Sequence, residues 1–393
     1  MRAFLRPLFE CKPKVLYKLA KNMCWRGYWA MHKFEKRMAK NEDYFPAFLM
    51  LSLTNKCNYN CLGCWVTKNS TFLSVDAVND MIRQANKKGS YFFGLLGGEP
   101  LMYDGLLDVL RANPKCYFQI FTNGALLTEE KAREIAKIGN ATVLISLEGM
   151  KEESLERRGS ENAYDLALKA MENAKKAGLF WGVATSVCKN NYKDSITPKY
   201  LDFLAKMGAN YVWYYIYRPV GALATRDFAL SHDEIVEMRK FIVEARNSKS
   251  KLIIIDAYWD DKGRAICPAV TGMSHHISAG GDIEFCPPLQ VASNRYKEGV
   301  DLGEVFAKSK FIKDLREFSA KQTRGCVLLD KPEELYEFLK KQDIYDSSGR
   351  GTFLEELGKM KVCAGHNIEE IPEKNFVYKF LKKKYFFGFG AYG

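Results

Sequence analysis

Cys57, Cys61 and Cys64 stand in the segment CNYNCLGC, a C-x3-C-x2-C spacing that places three thiols in one short loop. Three thiolates can ligate three irons of one iron–sulfur cluster, whereas a [4Fe-4S] cube has four irons to satisfy. One iron is then left open. Zinc is the alternative, but a structural zinc site needs a fourth Cys or His at matching spacing, and none lies nearby in the sequence. Four further cysteines, Cys267, Cys286, Cys326 and Cys363, are spread through the C-terminal region. Together they would suffice for a second [4Fe-4S] cluster, with His275 and His276 as conceivable alternative ligands. Cys11, Cys24, Cys116 and Cys188 lie in apolar helical or strand patterns and read as core.

The elements that must position these residues alternate in type. The apolar run Ala47 to Thr54 reads as a buried strand, and the cysteine motif follows it at once. Strand patterns recur at Tyr91–Gly98, Cys116–Gly124, Ala141–Gly149, Trp181–Lys189 and Tyr211–Gly221. Helical patterns fall between them at Val75–Lys88, Leu106–Asn113, Thr128–Ile138, Ala163–Gly178 and Thr197–Met207. Apolar strands separated by helices indicate an α/β fold with a parallel sheet, and six strands suggest a partial (β/α)6 barrel rather than a closed one of eight. Chemistry in such folds sits at the C-terminal strand ends, which is where the cysteine loop lies.

The order of these motifs resembles the radical SAM (S-adenosylmethionine) superfamily over about Ala47 to Gly221. The resemblance implies that SAM chelates the open iron, and that the GGEP segment, Gly97, Gly98, Glu99 and Pro100, contacts SAM, with Glu99 meeting its amino group. By the same resemblance Thr122 and Asn123, Ser146 and Glu148, and Arg157 or Arg158 surround the cofactor, an arginine neutralising the SAM carboxylate. The family usually places an aromatic residue just before the third cysteine. This chain has Gly63 there and Trp65 just after Cys64, so Tyr59 or Trp65 is expected to stack on the adenine instead. The implied activity is reductive opening of SAM to a 5′-deoxyadenosyl radical that abstracts hydrogen from an unactivated C–H bond. Oxidation, crosslinking and carbon–carbon bond formation all remain open, in an anaerobic setting with flavodoxin or ferredoxin as electron donor.

Cys267, then Gly281 and Cys286, resembles the start of the SPASM and Twitch auxiliary-cluster extensions, although their dense cysteine run is absent. The match implies one auxiliary cluster at Cys267, Cys286, Cys326 and Cys363, and a peptide or protein substrate. The strand end YVWYYIYRPVG could line an apolar pocket or a peptide groove, with Arg218 anchoring a carboxylate or phosphate.

Three regions follow: basic amphipathic helices over 1–46, the partial barrel over 47–230, and a loop-rich cluster-binding region over 231–393. The net charge of +12 is concentrated near the ends, from Lys12 to Lys40 and from Lys379 to Lys384, among large apolar residues. Such patterns suit an anionic lipid surface, so a membrane lipid or isoprenoid substrate is the second reading. A non-catalytic iron–sulfur or nucleic-acid-binding protein is the third, disfavoured by the company the cysteine loop keeps. No signal-peptide core or spanning run stands out, and eleven cysteines with one tight cluster suit reduced thiols. The expectation is a cytoplasmic protein, with peripheral contact at the inner membrane face as an option.

Overall fold

A computed structural model of the chain describes residues 2–40, 44–222, 224–248, 250–256 and 258–384. Six strands fall where the apolar runs place them: β1 (Phe48–Thr54), β2 (Phe92–Gly97), β3 (Tyr117–Thr122), β4 (Ala141–Ser146), β5 (Trp181–Val187) and β6 (Tyr211–Ile216). They pair in parallel in sequence order. The intervening helices begin at side-chain caps, because a hydroxyl must satisfy the free amides of the first turn. Ser74 accepts from Ala77 N, Thr128 from Lys131 N and Thr197 from Tyr200 N.

The sheet goes further than six strands. β7 (Ile253–Asp256) joins β6 in parallel, and β8 (Ser274–Ile277) joins the free edge of β1, also in parallel. β9 (Asp282–Cys286), β10 (Leu289–Arg295) and β11 (Tyr345–Asp346) continue that edge in antiparallel order. The result is one open, mostly parallel sheet with β11 and β7 at its edges. The expected partial barrel is present, with its strand count corrected upward. Position 230 does not divide the sheet, since the segment after it supplies both flanks. β7 falls in the strand-like run KLIIID, whereas β8, of four residues, is too short for alternation to announce it.

The N-terminal helices close the bottom of the barrel. A helical stretch runs through Pro13–Lys18, a π-helical segment Leu19–Arg26, and Gly27–Ala39. It bonds to carbonyls just ahead of the strands: Asn22 Nδ2 to Pro114 O and Cys116 O at 3.1 and 2.9 Å, Lys12 N to Gly178 O at 2.9 Å, and Arg6 to Ala205 and Ala209. Val15, Ala30, Met31 and Phe34 are buried beneath it. The wide π turn resets the helical phase, so Trp25 and Trp29 face solvent although they fit the apolar period. Cys24 shares that fate. It is exposed, while Cys11, Cys116 and Cys188 are buried as expected.

The basic run near the C-terminus is also divided. The helix Phe376–Lys384 sends Lys382 inward, onto Asp256 at 2.8 Å, where its side chain is 1% exposed. Among the described residues no helix is long and apolar enough to cross a membrane. The aromatic tail beyond Lys384, part of the expected lipid patch, lies outside the described residues.

Candidate active site

The loop after β1 carries Cys57, Cys61 and Cys64, and all three thiols are free of disulfides. They line a cavity of about 300 Å3 together with Gly97 and Gly98 from the end of β2, Thr122 and Asn123 from β3, Ser146 and Glu148 from β4, and Arg157 and Arg158. The convergence expected from strand ends is therefore present. Tyr59 and Trp65 lie on the same wall.

Glu99 and Pro100 do not line this cavity. Glu99 is 1% exposed and stands behind the wall, where its carboxylate accepts from Thr122 Oγ1 at 2.7 Å, Leu101 N at 2.9 Å and Asn123 N at 2.7 Å. Burial pushes its carboxyl up from the ordinary range. The GGEP acid is thus a bracket joining two strand ends rather than a group presented to a cofactor. Backbone bonds from Gly98 N to Thr54 O at 2.7 Å and Glu99 N to Lys56 O at 2.8 Å fasten the same turn to the cysteine loop, and Asn123 Nδ2 donates to Asn58 Oδ1 at 2.7 Å.

A Cβ at Gly98 would stand 2.2 Å from Lys56 O, a contact that no small adjustment relieves because both partners are backbone. Gly98→Ala is therefore expected to displace the loop holding Cys57 and to cut iron retained after anaerobic reconstitution by at least about half, with stability lowered by about 1–3 kcal/mol as for other overpacked sites. Iron per chain and a urea titration check both. Unchanged iron content would show that the turn does not set the loop.

The arginine pair is split in role. Arg158 is bound to Glu148, and its Nη1 lies 3.7 Å from Cys61 Sγ. Glu148 also accepts from Ser186 N at 3.1 Å. Arg157 rests over the Tyr217 ring at 4.6 Å, and its Nε and Nη1 are buried with no hydrogen-bond partner. A buried guanidinium with unused donors at a cavity wall suits an anionic group such as a carboxylate.

Tyr217 accounts for the missing aromatic. Gly63 has φ +66, and a Cβ there would meet the Tyr217 hydroxyl at 2.2 Å. The ring from the end of β6 thus occupies the space beside the third cysteine that a larger loop residue would need. Trp65 packs edge-on to His276 at 5.7 Å.

Burial pushes the Cys57 thiol up to about 11, and raises Cys64 as well. Cys57 and Cys64 are thereby held in the thiol form, so loading of a cluster there must release protons. Three disulfide-free thiols beside Arg158 fit the donor set of a three-cysteine cluster.

The C-terminal cysteines separate. Cys267, Cys286 and Cys326 line a second, small cavity with His366, Met50, Arg218, Pro287 and Pro288. Cys363 lines a different one with Val220, Gly221 and Leu328. Burial raises Cys267 to about 11, with the neighbouring Cys326 adding to it. Neither His275 nor His276 lines that cavity: His276 is held by Ser52 Oγ at 2.8 Å and Glu284 Oε2 at 2.5 Å, while His275 Nδ1 bonds Phe285 O at 2.8 Å and its Nε2 is buried without a hydrogen-bond partner away from the thiols. Among the described residues no three or more His, Cys, Asp or Glu side chains converge as a single-ion site. Cluster ligands each take a separate iron, so they need not meet at one point. Met50, Arg218, Pro287 and Pro288 border both cavities, and Arg218 shares the wall of the smaller one with Cys326. Arg218, expected as an anion anchor, borders the thiols instead, and Asn58, Tyr217 and His366 join the two sites, the first two without a motif of their own to mark them. The CAGH segment, with two metal-binding residue types three apart, was the available signal for His366.

Residues 51–204 match the family model described as Radical SAM superfamily. Over that stretch the chain carries a radical SAM domain. The Fe-coproporphyrin III synthase of Methanosarcina barkeri is 30% identical over 159 residues, 39% of either chain. The GTP 3′,8-cyclase of Helicobacter pylori is 27% identical over 159 residues, 38% of this chain and 49% of that one. The chain thus spans less than half the length of these curated relatives. Among solved structures, Streptococcus suis SuiB bound to precursor peptide SuiA superposes with a TM-score of 0.61 at 16% identity, over 76% of this chain and 72% of that one. At that identity the likeness shows the fold alone.

Proposed function

We propose that this chain opens SAM reductively at a [4Fe-4S] cluster on Cys57, Cys61 and Cys64 and modifies a carbon of a peptide or protein side chain. The cluster, when bound, supplies the electron that cleaves SAM to methionine and a 5′-deoxyadenosyl radical. The observation that carries the reading is the single cavity shared by the three thiols, the glycine turn of β2 and Arg157, whose Nε and Nη1 have no hydrogen-bond partner.

The chain's own residues do the rest. Arg157 holds the SAM carboxylate; Arg158 offsets charge at Cys61 and is itself held by Glu148. Gly97 and Gly98 let the backbone approach the cofactor closely. Met50, Phe121, Tyr215 and Val220 give the cavity apolar walls that exclude water from a reactive radical. Cys267, Cys286 and Cys326 hold an auxiliary cluster across Arg218, placed to take an electron from the substrate. The peptide reading draws support from SuiB, captured with its precursor peptide. It also draws on a cavity of about 240 Å3 beyond Trp65, lined by Asn69, Gln290 and Ser348.

A second reading, a substrate from a lipid surface, is favoured by the exposed Leu8, Phe9, Trp25 and Phe376 among basic residues. Phe4 and Tyr378 rings meet at 5.7 Å, bringing the two ends together. That face lies at the bottom of the barrel, opposite the cavity, so it would dock the protein without delivering lipid to the cysteines.

The test is anaerobic reconstitution followed by dithionite and SAM. Equal amounts of 5′-deoxyadenosine and methionine are expected. No 5′-deoxyadenosine above a cluster-free control would sink the proposal.

A further inference from the structure

The small cavity that gathers Cys267, Cys286 and Cys326 holds three thiols, one short of a thiolate-only ligand set for a cube. Cys286 ends β9, Cys326 caps the short helix Val327–Asp330, and Cys267 lies ahead of β8, so three separate elements bring them together. Cys363 does not join them. Its backbone amide donates to Leu329 O at 3.0 Å, and its thiol lies 3.6 Å from Lys361 O beside another cavity.

The residue that does join them is His366, which is 3% exposed. Its Nε2 lies 3.0 Å from Ile266 O, the carbonyl one residue before Cys267. A carbonyl only accepts, so Nε2 carries the hydrogen and Nδ1 is left as the lone-pair nitrogen. Tyr258 packs on the ring at 4.8 Å between centroids, and Trp259 Nε1 fixes the main chain there by donating to the His366 carbonyl at 3.0 Å. Metal-binding histidines are oriented in this way, one ring nitrogen donating to a backbone carbonyl while the other ligates.

We propose that His366, not Cys363, completes the ligand set of the auxiliary cluster with Cys267, Cys286 and Cys326. The inference rests on the auxiliary-cluster reading above and specifies its fourth ligand. Exchanging a thiolate for a neutral imidazole removes one negative charge from the cluster, and histidine ligation raises the potential of iron–sulfur centres. The positive Arg218 guanidinium, on the same cavity wall as Cys326, acts in the same direction. The site is therefore built to accept an electron readily, as a centre that oxidises a substrate radical must.

The full chain carrying Cys57, Cys61 and Cys64→Ala isolates this cluster. After anaerobic reconstitution it is expected to hold about four irons per chain. Adding Cys363→Ala should leave iron, sulfide and the electron paramagnetic resonance spectrum of the reduced cluster unchanged. Adding His366→Ala should lower iron below about four or give a three-iron signal, and His366→Cys should keep about four irons at a lower midpoint potential. Circular dichroism of each variant separates loss of ligand from loss of fold. An unchanged spectrum and potential in both His366 variants, or cluster loss in Cys363→Ala, would overturn the assignment. A background chain holding no iron would instead remove the auxiliary cluster itself, and the assignment with it, while leaving SAM cleavage by wild type as a separate measurement.

Discussion

Cys61→Ala is expected to abolish SAM cleavage, with 5′-deoxyadenosine formation falling by about three orders of magnitude or more, because the cofactor carries the difficult chemistry and the protein cannot replace it. Cys61 is a sensitive choice among the three thiols. Arg158 stands 3.7 Å from its sulfur and is ion-paired to Glu148, which in turn accepts from Ser186 N in β5. The side chain sits on the cavity wall, so its removal takes away one thiol without opening the core. Cleavage by the variant should be negligible at every SAM concentration, whereas an affinity defect would be rescued by more SAM. Residual turnover within about tenfold of wild type would mean that the cluster is held by other residues.

Asp256→Asn is expected to destabilise the full chain by about 3–5 kcal/mol, the cost of stripping one partner from buried charges. Asp256 Oδ2 lies 2.9 Å from both Arg239 Nη1 and Arg246 Nη1, and Oδ1 lies 2.8 Å from Lys382 Nζ. Glu373, 2.6 Å from Arg246, is the second carboxylate. Those side chains are at most 1% exposed, so three cations would face one anion if Asp256 lost its charge. Burial alone would raise the Asp256 carboxyl, but Arg246, Lys382 and Arg239 outweigh it and hold it well below the usual range. Because its folded pKa is depressed, the group contributes stability above the unfolded carboxyl pKa of about 3.9 and loses that contribution as pH falls through the folded value. Urea titrations of wild type and variant between pH 7 and acid conditions check both statements. A difference below about 1 kcal/mol at pH 7, or one that does not shrink on acidification, would contradict them.

This network pins the helix Phe376–Lys384 to β7 and the helix His232–Asn247, yet its parts are scattered over more than a hundred positions. Lys382 looks from the sequence like one cation in a solvated run, and burial brings it down to about 8. Charge patterns give the sign of a residue and not the face it occupies, which only packing assigns. Trp25 and Trp29 show the converse, apolar by type and period yet exposed after the π turn.

What the sequence determined by itself was local. Six strands and their helices followed from runs and periods that each element carries within itself, and the C-x3-C-x2-C loop needs no distant partner to place three thiols together. The strand-end rule then brought Gly97, Gly98, Asn123, Ser146, Glu148 and both arginines to one cavity. Tertiary structure decided what depended on a neighbour far along the chain. Glu99 became a bracket because Thr122 and Asn123 claim its oxygens. Tyr217 took the space beside Gly63, and His366 rather than Cys363 came to line the cavity of the three C-terminal thiols. The physical reason is common to all three: a side chain's chemistry is written at its own position, but the partners that use it or leave it free are chosen by the packing of the whole sheet.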